Sequence, residues 1–131
     1  MSVPESVGDW IALAEEDLLN IENNLSASRV PWSTVCFHAQ QGAEKYLKAV
    51  LITQRIPPPR IHDLLPLLTL CTEAGIRLEP LEDDCFELTR YAVAPRYPGL
   101  LADITETDAQ DAVAALRRIR EAIRPLLGVR D

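Results

Sequence analysis

A chain of 131 residues, 47% apolar and 25% charged, is long enough to bury a core and has the composition of one globular domain spanning residues 1–131. Its formal net charge of −7 argues against coating a nucleic-acid backbone with the whole surface, so any such role needs a local cationic pocket or a basic partner. No apolar run approaches the roughly 20 residues of a membrane span, and three scattered cysteines with only two histidines disfavour a zinc site.

The start MSVPESVGDW lacks the basic and apolar regions of a signal peptide, so a cytoplasmic protein is expected. In a first helix, from about Val7 to Leu25, the residues Val7, Trp10, Ile11, Ala14, Leu18, Ile21 and Leu25 recur at helical spacing and build one apolar stripe. Glu15, Glu16, Glu22 and Asn23 fall mostly on the other side, while Asp17 lies near the stripe and calls for a cationic partner, Arg96 or Lys48. Pro31 and Ser33 open a second helix. Its inner face is Val35, Ala39, Gly42, Ala43, Tyr46, Leu47, Val50 and Leu51, with small residues where a neighbour approaches. Pro57, Pro58 and Pro59 end it and form a rigid connector.

A third helix is expected from about Asp63 to Ala74, stopped by Gly75, and a fourth from about Leu81 to Ala92. A proline-bracketed loop, APRYPG, follows. The last helix begins at Thr105 or Thr107, with Thr107 and Gln110 in capping-box spacing, and runs to about Leu126 with Ala112, Leu116, Ile119 and Ile123 inward. No alternating strand pattern occurs. The expected architecture is all-α, an antiparallel bundle of four to five helices. The cysteines Cys36, Cys71 and Cys85 read as buried thiols.

Three stretches, FHAQQGAEKYLKAVL, PPPRIHDLLPLL and APRYPG, stand in an order and spacing that resemble the HEPN domains. The resemblance covers about residues 7 to 125. It implies a helical bundle, usually homodimeric, that often pairs with a separately encoded minimal nucleotidyltransferase and for which nucleotide binding has been proposed. One branch of that family consists of metal-independent endoribonuclease toxins. These carry an arginine followed, after four to six residues, by a histidine near the late loop.

Metal-free RNA cleavage needs a group that moves the 2′-hydroxyl proton and a cation that holds the phosphate, roles suited to histidine and arginine. Here Arg96 is present, but YPGLLADI follows without a histidine. The pair is incomplete where the resemblance places it. A literal match, Arg55 to His62, crosses the proline connector instead and reads as coincidence; folding or a dimer could still bring His62 to Arg96.

Pro95 and Pro98 stiffen the backbone around Arg96 and Tyr97, so the guanidinium and ring are presented with little entropic freedom. Along the second helix, His38, Gln41, Glu44, Lys45 and Lys48 share one side. Glu44 with Lys48, and Lys45, read as a solvated face; His38, Gln41 and Lys48 are candidates for lining a groove, where the resemblance implies polar residues. His62 reads as a cap or tether for the connector, or as a polar member of the same pocket. Arg117, Arg118, Arg120 and Arg124 read as complementing a helix C-terminus, or as a small anion- or partner-binding patch.

The expectation is therefore a non-catalytic module with no cofactor and no metal. It binds a nucleotide or RNA phosphate through Arg96, Tyr97, His62, Lys48, His38, Gln41 and Asp17, beside a nucleotidyltransferase partner and within a toxin–antitoxin pair. If such a partner modifies the chain, the resemblance implies Tyr97 as the acceptor. Two alternatives stay open: an endoribonuclease using Arg96 with His62 or His38, and a purely structural helical dimer.

Overall fold

The structure, a computed structural model, describes residues 6–92 and 103–128. Five α-helices follow one another among the described residues: α1 Val7–Leu25, α2 Trp32–Thr53, α3 Leu64–Glu73, α4 Glu82–Thr89 and α5 Glu106–Ile123. Short 3₁₀ turns precede α4 at Glu79–Leu81 and extend α5 at Arg124–Leu127. No strand occurs among the described residues. The all-α architecture stands as expected.

Local chemistry fixes the helix ends. Ser6 accepts a hydrogen bond from the Asp9 N–H at 3.0 Å and Asp9 reaches back to the Ser6 N–H, a reciprocal cap that starts α1. Helix α5 starts with the same device, made by Thr105 and Asp108. The expected Thr107–Gln110 pair is thus displaced by two residues, because Asp108 reaches the Thr105 N–H. Helix α2 begins after Pro31 with no side-chain cap, so the serine cap expected from Ser33 is not made. The fourth helix is shorter than expected, since Glu79–Leu81 takes a 3₁₀ turn and α4 ends at Thr89.

Two helices end in the same left-handed turn. After α3, Gly75 has φ +93°, and the N–H groups of Gly75 and Ile76 cap Thr72 and Cys71. After α2 the equivalent position is Arg55, with φ +59°, and the Arg55 and Ile56 N–H groups cap Ile52 and Leu51 at 3.0 Å. A side chain in that conformation costs roughly 1 kcal/mol. Arg55→Gly is therefore expected to raise stability by about 0.5 kcal/mol after the added freedom of the unfolded chain is allowed for. Arg55→Val should lower stability by at least as much, and urea titration followed by far-UV circular dichroism measures both.

Helix α2 is the central element, packed against α1, α5, α3 and α4. Its expected inner face is buried throughout, as are Ala112, Leu116, Ile119 and Ile123 of α5. Helix α1 runs antiparallel to α2, with Glu15 at Tyr46 and Asp17 at His38, and reaches α5 where Glu15 meets Arg120. Gly42 sits where three helices converge. A Cβ there would lie 3.1 Å from Leu116 Cδ1 and 3.6 Å from Asp17 Cβ, so a hydrogen at this position lets α1 and α5 close on α2.

Candidate functional site

Because α2 is covered on several sides, polar residues on its flank toward α1 are drawn indoors and must find partners there. Asp17 of α1 is 5% exposed, and its two oxygens are divided between two groups of α2. His38 Nδ1 lies 2.8 Å from Oδ1, and Lys45 Nζ donates to Oδ2 at 2.6 Å. With a carboxylate as neighbour, Nδ1 carries the proton.

The same arrangement recurs further along α2. Glu44, 4% exposed, receives His62 Nδ1 on Oε1 at 3.1 Å and Lys48 Nζ on Oε2 at 2.9 Å. Gln40 Nε2 donates to the His62 carbonyl at 2.8 Å, and Gln41 Nε2 donates to Gln40 Oε1 at 2.7 Å. These bonds fasten the segment ahead of α3 onto α2. His62 thus acts as a tether and also presents its ring at the edge of the cluster.

The two halves differ in access. The side chains of His38 and Lys45 are each 22% exposed and that of His62 is 70% exposed, whereas Lys48 is 7% exposed. Lys48 lies under Trp10, with Nζ 5.5 Å from the ring centroid. The Trp10 indole N–H is buried with no acceptor among the described residues. Neither imidazole Nε2 has a hydrogen-bond partner among the described residues. Two carboxylates facing two lysines leave this cluster charge-balanced.

Five sequence-predicted site residues therefore gather here: Asp17, His38, Gln41, Lys48 and His62. Arg96 and Tyr97 lie outside the described residues. Asp17 pairs with His38 and Lys45, not with Lys48, which correction follows from the buried Glu44 that holds Lys48. Glu44–Lys48 is correspondingly no solvated surface pair, and Lys45 is part-buried on a carboxylate. The Arg55–His62 match forms no site: Arg55 is exposed, its side chain makes no hydrogen bond or ion pair among the described residues, and His62 is held by Glu44.

The arginines of α5 are committed across helices and do not simply face the C-terminal dipole. Arg118 Nη2 binds Asp84 at 2.8 Å, and Arg120 and Arg124 both bind Glu15. Arg117 is exposed. Glu15, which the helical spacing assigned to the outer side of α1, also accepts the hydroxyl of fully buried Tyr46. The Arg90–Tyr91 pair proves structural as well. Tyr91 is buried, and Arg90 lies 4.7 Å from its ring and bridges to Asp108 at 3.1 Å.

Other chemistry is weaker. The three thiols are free and buried, and burial pushes Cys36 up to about 11 and Cys85 up to about 12, so both stay protonated at neutral pH. No cluster able to hold a metal ion occurs among the described residues, and no described helix is long and apolar enough to cross a membrane. A cleft of about 460 Å³ is lined by Phe86, Glu87, Thr89, Arg90 and Asp108. Its carboxylates oppose an anionic ligand, which directs attention back to the α1–α2 cluster.

Gln40 was not singled out by helical spacing, while Glu44 and Lys45, placed on the side of His38, were read as a solvated face and are instead part of the buried cluster. Their signal was present in one respect, since Gln40 and Glu44 follow Cys36 at four-residue steps and continue down to Leu47 and Leu51. Only the position of α2 at the centre of the bundle turns that row into an interior.

Comparison with known proteins adds one positive finding. The family model described as HEPN domain matches residues 7–126, nearly the whole chain. No curated protein and no solved structure gives a match.

Proposed function

The chain belongs to the HEPN domain family, and on that premise we propose that it recognises a nucleotide or RNA phosphate without cleaving it, beside a minimal nucleotidyltransferase partner. The observation that carries this reading is the α1–α2 cluster, where His38 and Lys45 share buried Asp17 and keep part of their surface open. Since the cluster is balanced in charge, the surplus cation that draws a phosphate is Arg96, set between two prolines and next to Tyr97. Tyr97 stacks on or positions the ligand and is the acceptor if the partner transfers a nucleotide. The protein works as a cytoplasmic homodimer within a toxin–antitoxin pair.

Titration with a nucleoside monophosphate, read by calorimetry at two salt concentrations, tests the proposal. Saturable binding that weakens with salt, and at least about tenfold weaker binding in Arg96→Ala with helicity retained, are the expected results. Equal affinity in parent and Arg96→Ala overturns the reading. No saturable signal with the parent protein leaves the structural dimer. Co-expression with a minimal nucleotidyltransferase encoded beside it should yield a complex that survives size exclusion.

One observation favours a second reading, the endoribonuclease. Both imidazoles hold Nδ1 against a carboxylate and leave Nε2 without a partner among the described residues, the orientation in which a histidine takes or returns a proton. RNA cleaved by the purified chain in the presence of a chelator, and spared by Arg96→Ala and His38→Gln, would replace recognition with catalysis.

A further inference from the structure

We propose that His38 is a covalent phosphoryl-acceptor site, loaded at Nε2 by a small activated phosphate of the acyl phosphate or phosphoramidate class. The argument rests on how the ring is held. Asp17 fixes the proton on Nδ1 across 2.8 Å, which places the lone pair on Nε2, and the ring keeps 22% of its side-chain surface open. Nε2 has no protein partner among the described residues. Lys45, bonded to the other oxygen of Asp17, is equally accessible and offers a cation to the incoming phosphate.

The step balances without a metal or a second base. With an acyl phosphate, the Nε2 lone pair attacks phosphorus, the bond from phosphorus to the acyl oxygen breaks, and its electron pair leaves with the carboxylate; with phosphoramidate the P–N bond breaks and its pair leaves on the already protonated nitrogen as ammonia. No proton leaves the ring. The product is an Nε2-phosphoryl imidazolium with its hydrogen still on Nδ1, so the ring becomes positive as it reacts. Asp17 lies against that positive charge, and Lys45 lies beside the negative charge that arrives.

His62 is an internal control. Its Nδ1 also faces a carboxylate and its ring is far more exposed, yet the lysine on that carboxylate is 7% exposed and held under Trp10. Exposure alone predicts that His62 labels faster. A prepared site predicts His38.

The experiment incubates the full chain with acetyl phosphate and, separately, with phosphoramidate. Intact mass, peptide mapping and phosphorus NMR then follow the product. The expected product is one added phosphoryl group, stable to alkali and released by mild acid, on His38 at Nε2. His38→Gln should abolish it, His62→Gln should leave the label on His38, and Asp17→Asn should slow it at least about tenfold through loss of tautomer control. Lys45→Met should slow it less. Circular dichroism confirms that each variant is folded, and urea-unfolded chain gives the intrinsic rate of an unstructured histidine.

Labelling confined to His62, labelling of His38 no faster than in the unfolded chain, or parent rates in Asp17→Asn would each overturn the proposal. Nucleotide titration of the unlabelled protein reads the recognition function separately, so either idea can fail without the other.

Discussion

Glu15→Ala is expected to destabilise the fold by about 2–4 kcal/mol, a large effect for a part-exposed residue of an outer helix. Glu15 ties three helices through one carboxylate. It accepts the hydroxyl of Tyr46 from α2, Arg120 Nε at 3.0 Å from α5, and Arg124 Nη1 at 2.7 Å just beyond α5. Tyr46 is fully buried, so deleting the acceptor strands its hydroxyl in the core, where an unmet hydrogen bond costs about 1–3 kcal/mol. Adding Tyr46→Phe to Glu15→Ala removes the stranded group and should recover about 1 kcal/mol. Urea unfolding of parent, single and double variants measures each side of that cycle.

The same contact sets an acid limb. Burial pulls the Glu15 pKa upward, but hydrogen bonds from Arg120 and Tyr46 and the charges of Arg120 and Arg124 outweigh it, leaving the group below its ordinary value of 4.5. A carboxyl depressed in the folded state stabilises fully above its unfolded pKa, and that contribution is lost as pH falls through the lower folded value. The parent should therefore lose stability more steeply than Glu15→Gln as pH drops from about 5 toward 3. Parallel slopes for the two proteins would show that the carboxylate charge contributes nothing.

Much of the bundle was legible because apolar spacing reports burial directly. The row Val35, Ala39, Ala43, Tyr46 and Val50 needs no tertiary knowledge to mark a helix face, and Gly75 marks a left-handed stop by itself. The cluster was legible only in part. His38, Gln41 and Lys48 share a side of α2 by spacing alone, but which carboxylate each basic group meets depends on the register of α1 against α2. That register comes from Gly42 and its neighbours. It sets Asp17 opposite His38 and Lys45, and leaves Lys48 to Glu44. Glu15 was misread because its partners, Tyr46, Arg120 and Arg124, come from elsewhere in the chain, which spacing along α1 does not report.

Glu44→Ala is expected to cost about 3–5 kcal/mol, because it removes one member of a buried ion pair and leaves the other in place. The Lys48 and Glu44 side chains are 7% and 5% exposed, and their 2.9 Å contact is backed by His62 on the second oxygen. Without Glu44, the ammonium keeps, among the described residues, the Trp10 ring, a cation–π contact of about 0.5–2 kcal/mol that does not replace a carboxylate. Replacing both partners, Glu44→Met with Lys48→Leu, removes the unpaired charge and should return stability to within about 1 kcal/mol of the parent, or above it. The double variant then separates packing from recognition. If Lys48 is a structural cation, the folded double variant binds nucleotide within about twofold of the parent. Lys45→Met, from a pair with one more open partner, should cost at most about 1 kcal/mol and weaken binding instead. The reverse pattern, binding lost with Lys48 and kept without Lys45, would move the phosphate contact from the Asp17 half of the cluster to the Glu44 half and make His62 its histidine.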